Sequence, residues 1–229
     1  MITIDLPDTT FFRADLTPES RSVRGGPNSE PTGSPGSWIE LAQATAVRLT
    51  SKMADDKELA NYIAAEKGLF RYDYVRLGCS FYSAEGERFD KAWMEVDLTS
   101  DAPDTAIAWS MLPDNVHESV KRTSKAKIGS KLQFLSSEMA EEEQVDQKLY
   151  SIRGYREGSA RPFWEMRQTS LANLDGLFRF HLIVRSVHNQ ETRGIVRLST
   201  MIGARKYLVF HSQRQADAPL QEFRLAAGK

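Results

Sequence analysis

With 229 residues, 41% of them hydrophobic and 27% charged, the chain suits one large folded domain or two small ones. It can bury a core without disulfide staples or a structural metal. Its 31 acidic and 30 basic residues leave a net charge of −1, which argues against a nucleic-acid ligand, because phosphate binding draws on a surplus of Lys and Arg. A single cysteine, Cys79, excludes an internal disulfide and a thiolate metal cage, so no cofactor or metal is expected, and the expected compartment is reducing and cytoplasmic.

The first residues lack the basic start and apolar run of a secretory signal, and no stretch approaches the ~20 apolar residues of a spanning helix. Ile2, Ile4 and Leu6 alternate with polar residues, which makes residues 1–18 a strand-like arm. Residues 19–37 are rich in Gly, Pro and Ser and read as a linker. The linker lets the arm complete a sheet edge in its own chain, the plainer reading, or in a neighbour's. Residues 38–229 read as a single β-rich domain.

That domain opens with helical spacing. Ser37 and Glu40 stand as in a capping box, and Ile39, Ala42, Ala46 and Leu49 recur every three to four residues. Asp55 and Glu58 repeat the start signal for a second helix, with Leu59, Tyr62 and Ile63 on one face and Gly68 as its cap. From Arg71 the period changes to two. Val75, Leu77, Cys79 and Phe81 form a core face, Ala84–Glu87 a turn, and Ala92, Met94, Val96 and Leu98 a second core face, as in an antiparallel hairpin. Cys79 is therefore expected as a small buried hydrophobe.

Ile107, Trp109 and Met111 resume the alternation, and Phe163–Thr169 is a short strand. Phe178, Phe180, Leu182 and Val184 make the strongest strand, with Arg179, His181 and Arg185 outward. Val196, Leu198, Thr200 and Ile202, a turn at Gly203–Lys206, then Leu208 and Phe210 complete a meander; Leu220, Phe223 and Leu225 offer a late docking point. The fold class is thus α+β and β-dominated, a mostly antiparallel sheet or sandwich with a small N-terminal helical region.

Between these strands lies an extended charged hairpin arm, near residues 116–156. Lys121, Lys125, Lys127 and Lys131 share one face of its outgoing strand. Val120, Ser124, Ala126, Ile128, Leu132 and Phe134 share the other, with Arg122 and Ser130 as interruptions. Its middle carries Glu141, Glu142 and Glu143. Three readings compete: an edge hairpin whose lysines discourage aggregation, a partner arm working by complementary charge, and a membrane-inserting hairpin. Strict alternation puts Lys148 and Arg153 on opposite faces of the return strand, which counts against the membrane.

Phosphate-cradling loops, His-Glu-x-x-His and Gly-x-Ser-x-Gly are absent from the sequence. His181 and His211, with a carboxylate such as Glu165, would meet in a metal or hydrolase site only if the last strands pair. Tyr72, Tyr74, Tyr82 and Trp93 fall on non-core positions, where they make either a contact patch or a second buried layer. The reading that follows is a soluble, non-enzymatic binding or assembly module acting through sheet edges and the charged arm. A protein partner or self-association is expected, through Lys121, Lys125, Lys127, Lys131, Glu141, Glu142, Glu143, Tyr74 and Trp93. A membrane-interacting or pore-forming hairpin and an unrecognised hydrolase or metal enzyme are the alternatives.

Overall fold

The computed structural model describes residues 11–15, 36–54, 57–102, 105–123, 144–169, 173–206 and 210–228. The strands are β1 (Phe11–Asp15), β2 (Trp38–Ala42), β3 (Thr45–Arg48), β4 (Phe70–Tyr82), β5 (Glu87–Ser100), β6 (Ile107–Leu112), β7 (Asn115–Thr123), β8 (Gln144–Tyr155), β9 (Phe163–Arg167), β10 (Gly176–Val187), β11 (Thr192–Lys206), β12 (Phe210–Asp217) and β13 (Gln221–Leu225), with one helix, α1 (Lys57–Ala65). The first sheet runs β1-β2-β4-β10-β6, with β3 also on β4; the second runs β12-β11-β5-β9-β8-β7, with β13 also on β11. All named pairings are antiparallel. The chain is a β-dominated two-sheet sandwich.

The period-two segments supply its core. Val75, Leu77, Cys79 and Phe81 from β4 and Phe180, Leu182 and Val184 from β10 meet Ala92, Met94, Val96 and Leu98 from β5 and Val196, Leu198 and Ile202 from β11. Burial pushes the Cys79 thiol pKa far up, so Cys79 packs as an inert hydrophobe.

Several expectations are corrected. Residues 38–48 form β2 and β3, not a helix: Ile39 and Leu41 alternate into the core, and pairing with β4 outweighs the helical spacing. Ser37 caps no helix. Its Oγ donates to Glu87 Oε2 at 2.5 Å and accepts the Ala84 N–H at 2.9 Å, pinning the β4–β5 turn. That turn joins different sheets, so β4 and β5 are sequential without being a paired hairpin. The same holds for β10 and β11, so the late strands are no simple meander. Gly203–Lys206 continues β11 along β12 instead of turning. In β6 a bulge opposite Ile183 and Val184 breaks the alternation, placing Ala108 and Met111 in the core and Trp109 on the outer side.

The second expected helix is present as α1, with Leu59 buried and Gly68 at φ 87° just beyond it. It covers Tyr72 on the outer side of the first sheet, and with Leu49 they form a small second core edged by Ile63, Tyr74, Trp109 and Ile183. β1 pairs with β2 of its own chain. The Ile2–Leu6 alternation and residues 19–35 of the linker lie outside the described residues. At the other end of the chain, Phe223 and Leu225 are buried while Leu220 is exposed. Arg71, buried and ion-paired with Asp73 at 3.0 Å, holds the Leu225 and Ala226 carbonyls at 2.7 and 2.6 Å.

Candidate functional site

The feature that departs most from an ordinary sandwich is the β7–β8 ribbon. β8 touches β9 only over Ile152–Tyr155, whereas its pairing with β7 continues from Tyr150 opposite His117 to Gln144 opposite Thr123. Seven successive pairs therefore extend past the last strand able to flank them, roughly 23 Å of two-stranded ribbon at ~3.3 Å per residue. β7 ends its sheet, so within the described residues both ribbon edges are unpaired there.

The base of this ribbon is fixed firmly. Trp164, fully buried opposite Gly154, donates its indole N–H to the Pro113 carbonyl at 3.0 Å. Gly154 donates its own N–H to Asp114 O at 2.6 Å, and a Cβ there would lie 3.1 Å from Met111 Cε and 3.2 Å from Asp114 O. Close approach of these backbones is what the glycine permits. Above that base, Ser151 is the extra residue of a bulge, its Oγ donating to Val116 O at 3.3 Å.

This bulge corrects the parity argument. The register sets Arg153 opposite Asn115 and Lys148 opposite Ser119, two positions of equal parity on the unbulged β7. Lys148 and Arg153 therefore occupy positions on one side of the ribbon, not on two.

Of the residues expected to contact a partner, Lys121 sits in β7 opposite Asp146 of β8. Lys125, Lys127, Lys131, Glu141, Glu142 and Glu143 lie outside the described residues. Tyr74 and Trp93 are half-buried on different sheets, so the four aromatics make no common patch. Tyr72 is core under α1. Its hydroxyl donates to Glu66 at 2.6 Å, and burial together with that carboxylate pushes its pKa up to about 12. Tyr82 stacks on Trp38 with centroids 3.5 Å apart.

Tyr74 bonds His181 Nδ1 at 2.5 Å on the outer side of the first sheet, and burial, then Arg76 and Arg179, lowers the His181 pKa. His181 on β10 and His211 on β12 belong to different sheets, so the strand pairing that would have joined them does not occur. Among the described residues no group of three His, Cys, Asp or Glu is placed to hold a metal ion.

Trp93 belongs to a second feature that sequence patterning missed. The Arg156–Pro162 connection runs alongside β5 where β9 ends, the Leu98 N–H meeting Ala160 O at 2.8 Å and the Val96 N–H meeting Pro162 O at 3.0 Å, and its side chains border the outer face. Two adjoining clefts, about 440 and 600 Å³, run along this face and share Asp97, Arg156 and Arg161. The non-core parity of Trp93, Glu95 and Asp97 was readable in the sequence; the loop that walls them was not.

Fold and features together define an antiparallel β-sandwich carrying a projecting ribbon. No family model and no curated protein matches the chain. Among solved structures it is similar to the Clostridium perfringens NetB toxin in the membrane-inserted form, at 8% identity over 95% of each chain with a TM-score of 0.35. It is also similar to Clostridium perfringens delta-toxin, at 9% identity over 95% of this chain and 86% of that one, with a TM-score of 0.29. Likeness at this level assigns no family. No helix among the described residues is long and apolar enough to cross a membrane, which leaves spanning by strands unaddressed.

Proposed function

We propose that the protein is a non-enzymatic assembly module whose β7–β8 ribbon pairs edge to edge with the ribbons of other copies. The supporting observation is the run of seven strand pairs beyond β9. A two-stranded ribbon is marginal in water by itself, and its open edges are templates for further strands. Lateral addition of identical ribbons satisfies those edges, and closure into a barrel abolishes them. Solution mass tests this. The full chain is expected to form assemblies larger than one copy, alone or on lipid vesicles. A variant with residues 117–150 replaced by Asn-Gly is expected to remain a folded monomer. A full chain that stays monomeric in both settings would overturn the reading.

A second reading has its own support. The Ser151 bulge removes the objection drawn from Lys148 and Arg153, and the segment between β7 and β8 carries Ala126, Ile128, Leu132 and Phe134 at positions of one parity, interrupted by Ser130. In this version the far part of the joined ribbons enters a bilayer. A charge facing lipid at the midplane costs about 2–4 kcal/mol, repeated in every copy, so Ile128→Asp is expected to abolish dye leakage from vesicles while assembly persists. Absence of leakage from the unmodified chain would end this version and leave the first standing.

A further inference from the structure

The double cleft on the outer face of the second sheet has a chemistry unlike that of the ribbon, and it stands independently of the assembly reading. Its axis follows β5 from Trp93 to Ser100. The stretch from Trp93 to Thr99 alone spans roughly 20 Å at ~3.4 Å per residue, so the space suits a chain-like ligand better than a compact one. Trp93 and Phe163 supply apolar rings at one end. Phe163 is stacked against Tyr155 with centroids 4.7 Å apart and planes 10° apart, and the Arg156 guanidinium lies over the Phe163 ring, 5.6 Å from its centroid. At the centre, Asp97 is shared by two cations, Arg161 at 3.3 Å and Arg197 at 3.7 Å. Both arginines are exposed, so guanidinium N–H groups and carboxylate oxygens together line the cleft.

Other ligand classes fit poorly. An added peptide strand needs an open sheet edge, but β5 is paired with β11 on one side and with β9 and the Ala160–Pro162 backbone on the other. A phosphate polymer would meet Asp97 at the centre and Glu95 beside it, and three lining arginines against these two carboxylates leave a surplus of only one positive charge. A purely apolar ligand would strand the charged groups. Guanidinium and carboxylate groups beside aromatic rings match a ligand with many hydroxyls, each both donor and acceptor, and with apolar C–H faces.

We propose that this cleft binds a neutral oligosaccharide along the outer face of β5. Calorimetric titration of the full chain with hexa-N-acetylchitohexaose, cellohexaose and maltohexaose, with a heparin hexasaccharide as the anionic probe, tests it. At least one neutral hexasaccharide is expected to bind saturably and more tightly than the heparin fragment. Trp93→Ala and Arg161→Gln are each expected to weaken that binding about tenfold or more, equal to ~1.4 kcal/mol. Arg161 is largely exposed, so its variant decides the matter alone if loss of Trp93 disturbs folding. Failure of all three neutral sugars to bind, tighter binding of heparin, or affinity unchanged by Arg161→Gln would overturn the proposal.

Discussion

The outer faces of the two sheets start from similar material, alternating strands with aromatic residues at the non-core positions, and are finished differently. On the first sheet, Tyr72 and Trp109 meet edge to face at 5.7 Å beneath α1, with Leu49 and Leu59 completing a second core. On the second sheet, Trp93 and Phe163 line the cleft and Tyr155 stacks on Phe163, all three half-buried with no helix packed over them. A nine-residue helix therefore decides whether an aromatic row becomes structure or remains available for contact.

The largest expected effect separates the two rows directly. Tyr72→Ala should cost about 3–5 kcal/mol of unfolding free energy, as for a fully buried aromatic, because the cavity is walled by α1 and β6. Trp93→Ala should cost below about 1 kcal/mol. Urea denaturation of both variants measures the contrast, and equal losses would show that the second face is covered too.

An intermediate effect concerns the tether of the cover. Arg185 donates to both oxygens of Glu66, at 2.8 and 2.9 Å, joining the chain just after α1 to β10. The hydrogen bonds from Arg185, helped by that of Tyr72, hold the Glu66 pKa below its ordinary 4.5. The contribution is thus present above the unfolded value and lost as pH falls through the lowered folded one. Arg185→Gln at neutral pH should cost roughly 1–2 kcal/mol, discounted for partial exposure. Arg197→Gln, on the open face with a 3.7 Å contact to Asp97, should fall within about 0.5 kcal/mol. Thermal unfolding of the pair gives the comparison; matching losses would deny the tether its special role.

The contrast also marks how far sequence carried. Core faces of β4, β5, β10 and β11 were legible because each half-buried strand writes its own period of two. Sheet membership was not, since the turn at Ala84–Glu87 looks the same whether it closes a hairpin or crosses between layers. Two single-residue bulges, at Trp109 and Ser151, reversed parity where no residue type announces it. The β2–β3 region misled for a different reason: Ile39, Ala42, Ala46 and Leu49 fit a helical spacing by coincidence across two short strands. For the candidate sites, Lys121 and Trp93 fall on strands as the alternation expects, whereas the ribbon's unflanked length and the loop alongside β5 are long-range pairings that local pattern cannot encode.

The smallest effect tests the cover through a proton. His181, beside Tyr74 on the first sheet, has its pKa lowered from 6.5 by burial and then by Arg76 and Arg179. The unfolded chain therefore takes up this proton before the folded one does. Above pH 6.5 the two states are alike and His181 contributes no pH dependence. As pH falls below 6.5 the unfolded state is favoured progressively, until the folded state also protonates. Stability should thus decline modestly from pH 7 toward the acid side in the unmodified chain, and His181→Gln should flatten that decline. Removing the ring that bonds His181 with Tyr74→Ala, in a chain that still folds, should move the His181 pKa back toward 6.5 by readmitting water. A proton titration of His181 unchanged in that variant would mean that Arg76 and Arg179, not the packing of Tyr74, set its environment, and the difference between the two faces would then be one of packing alone.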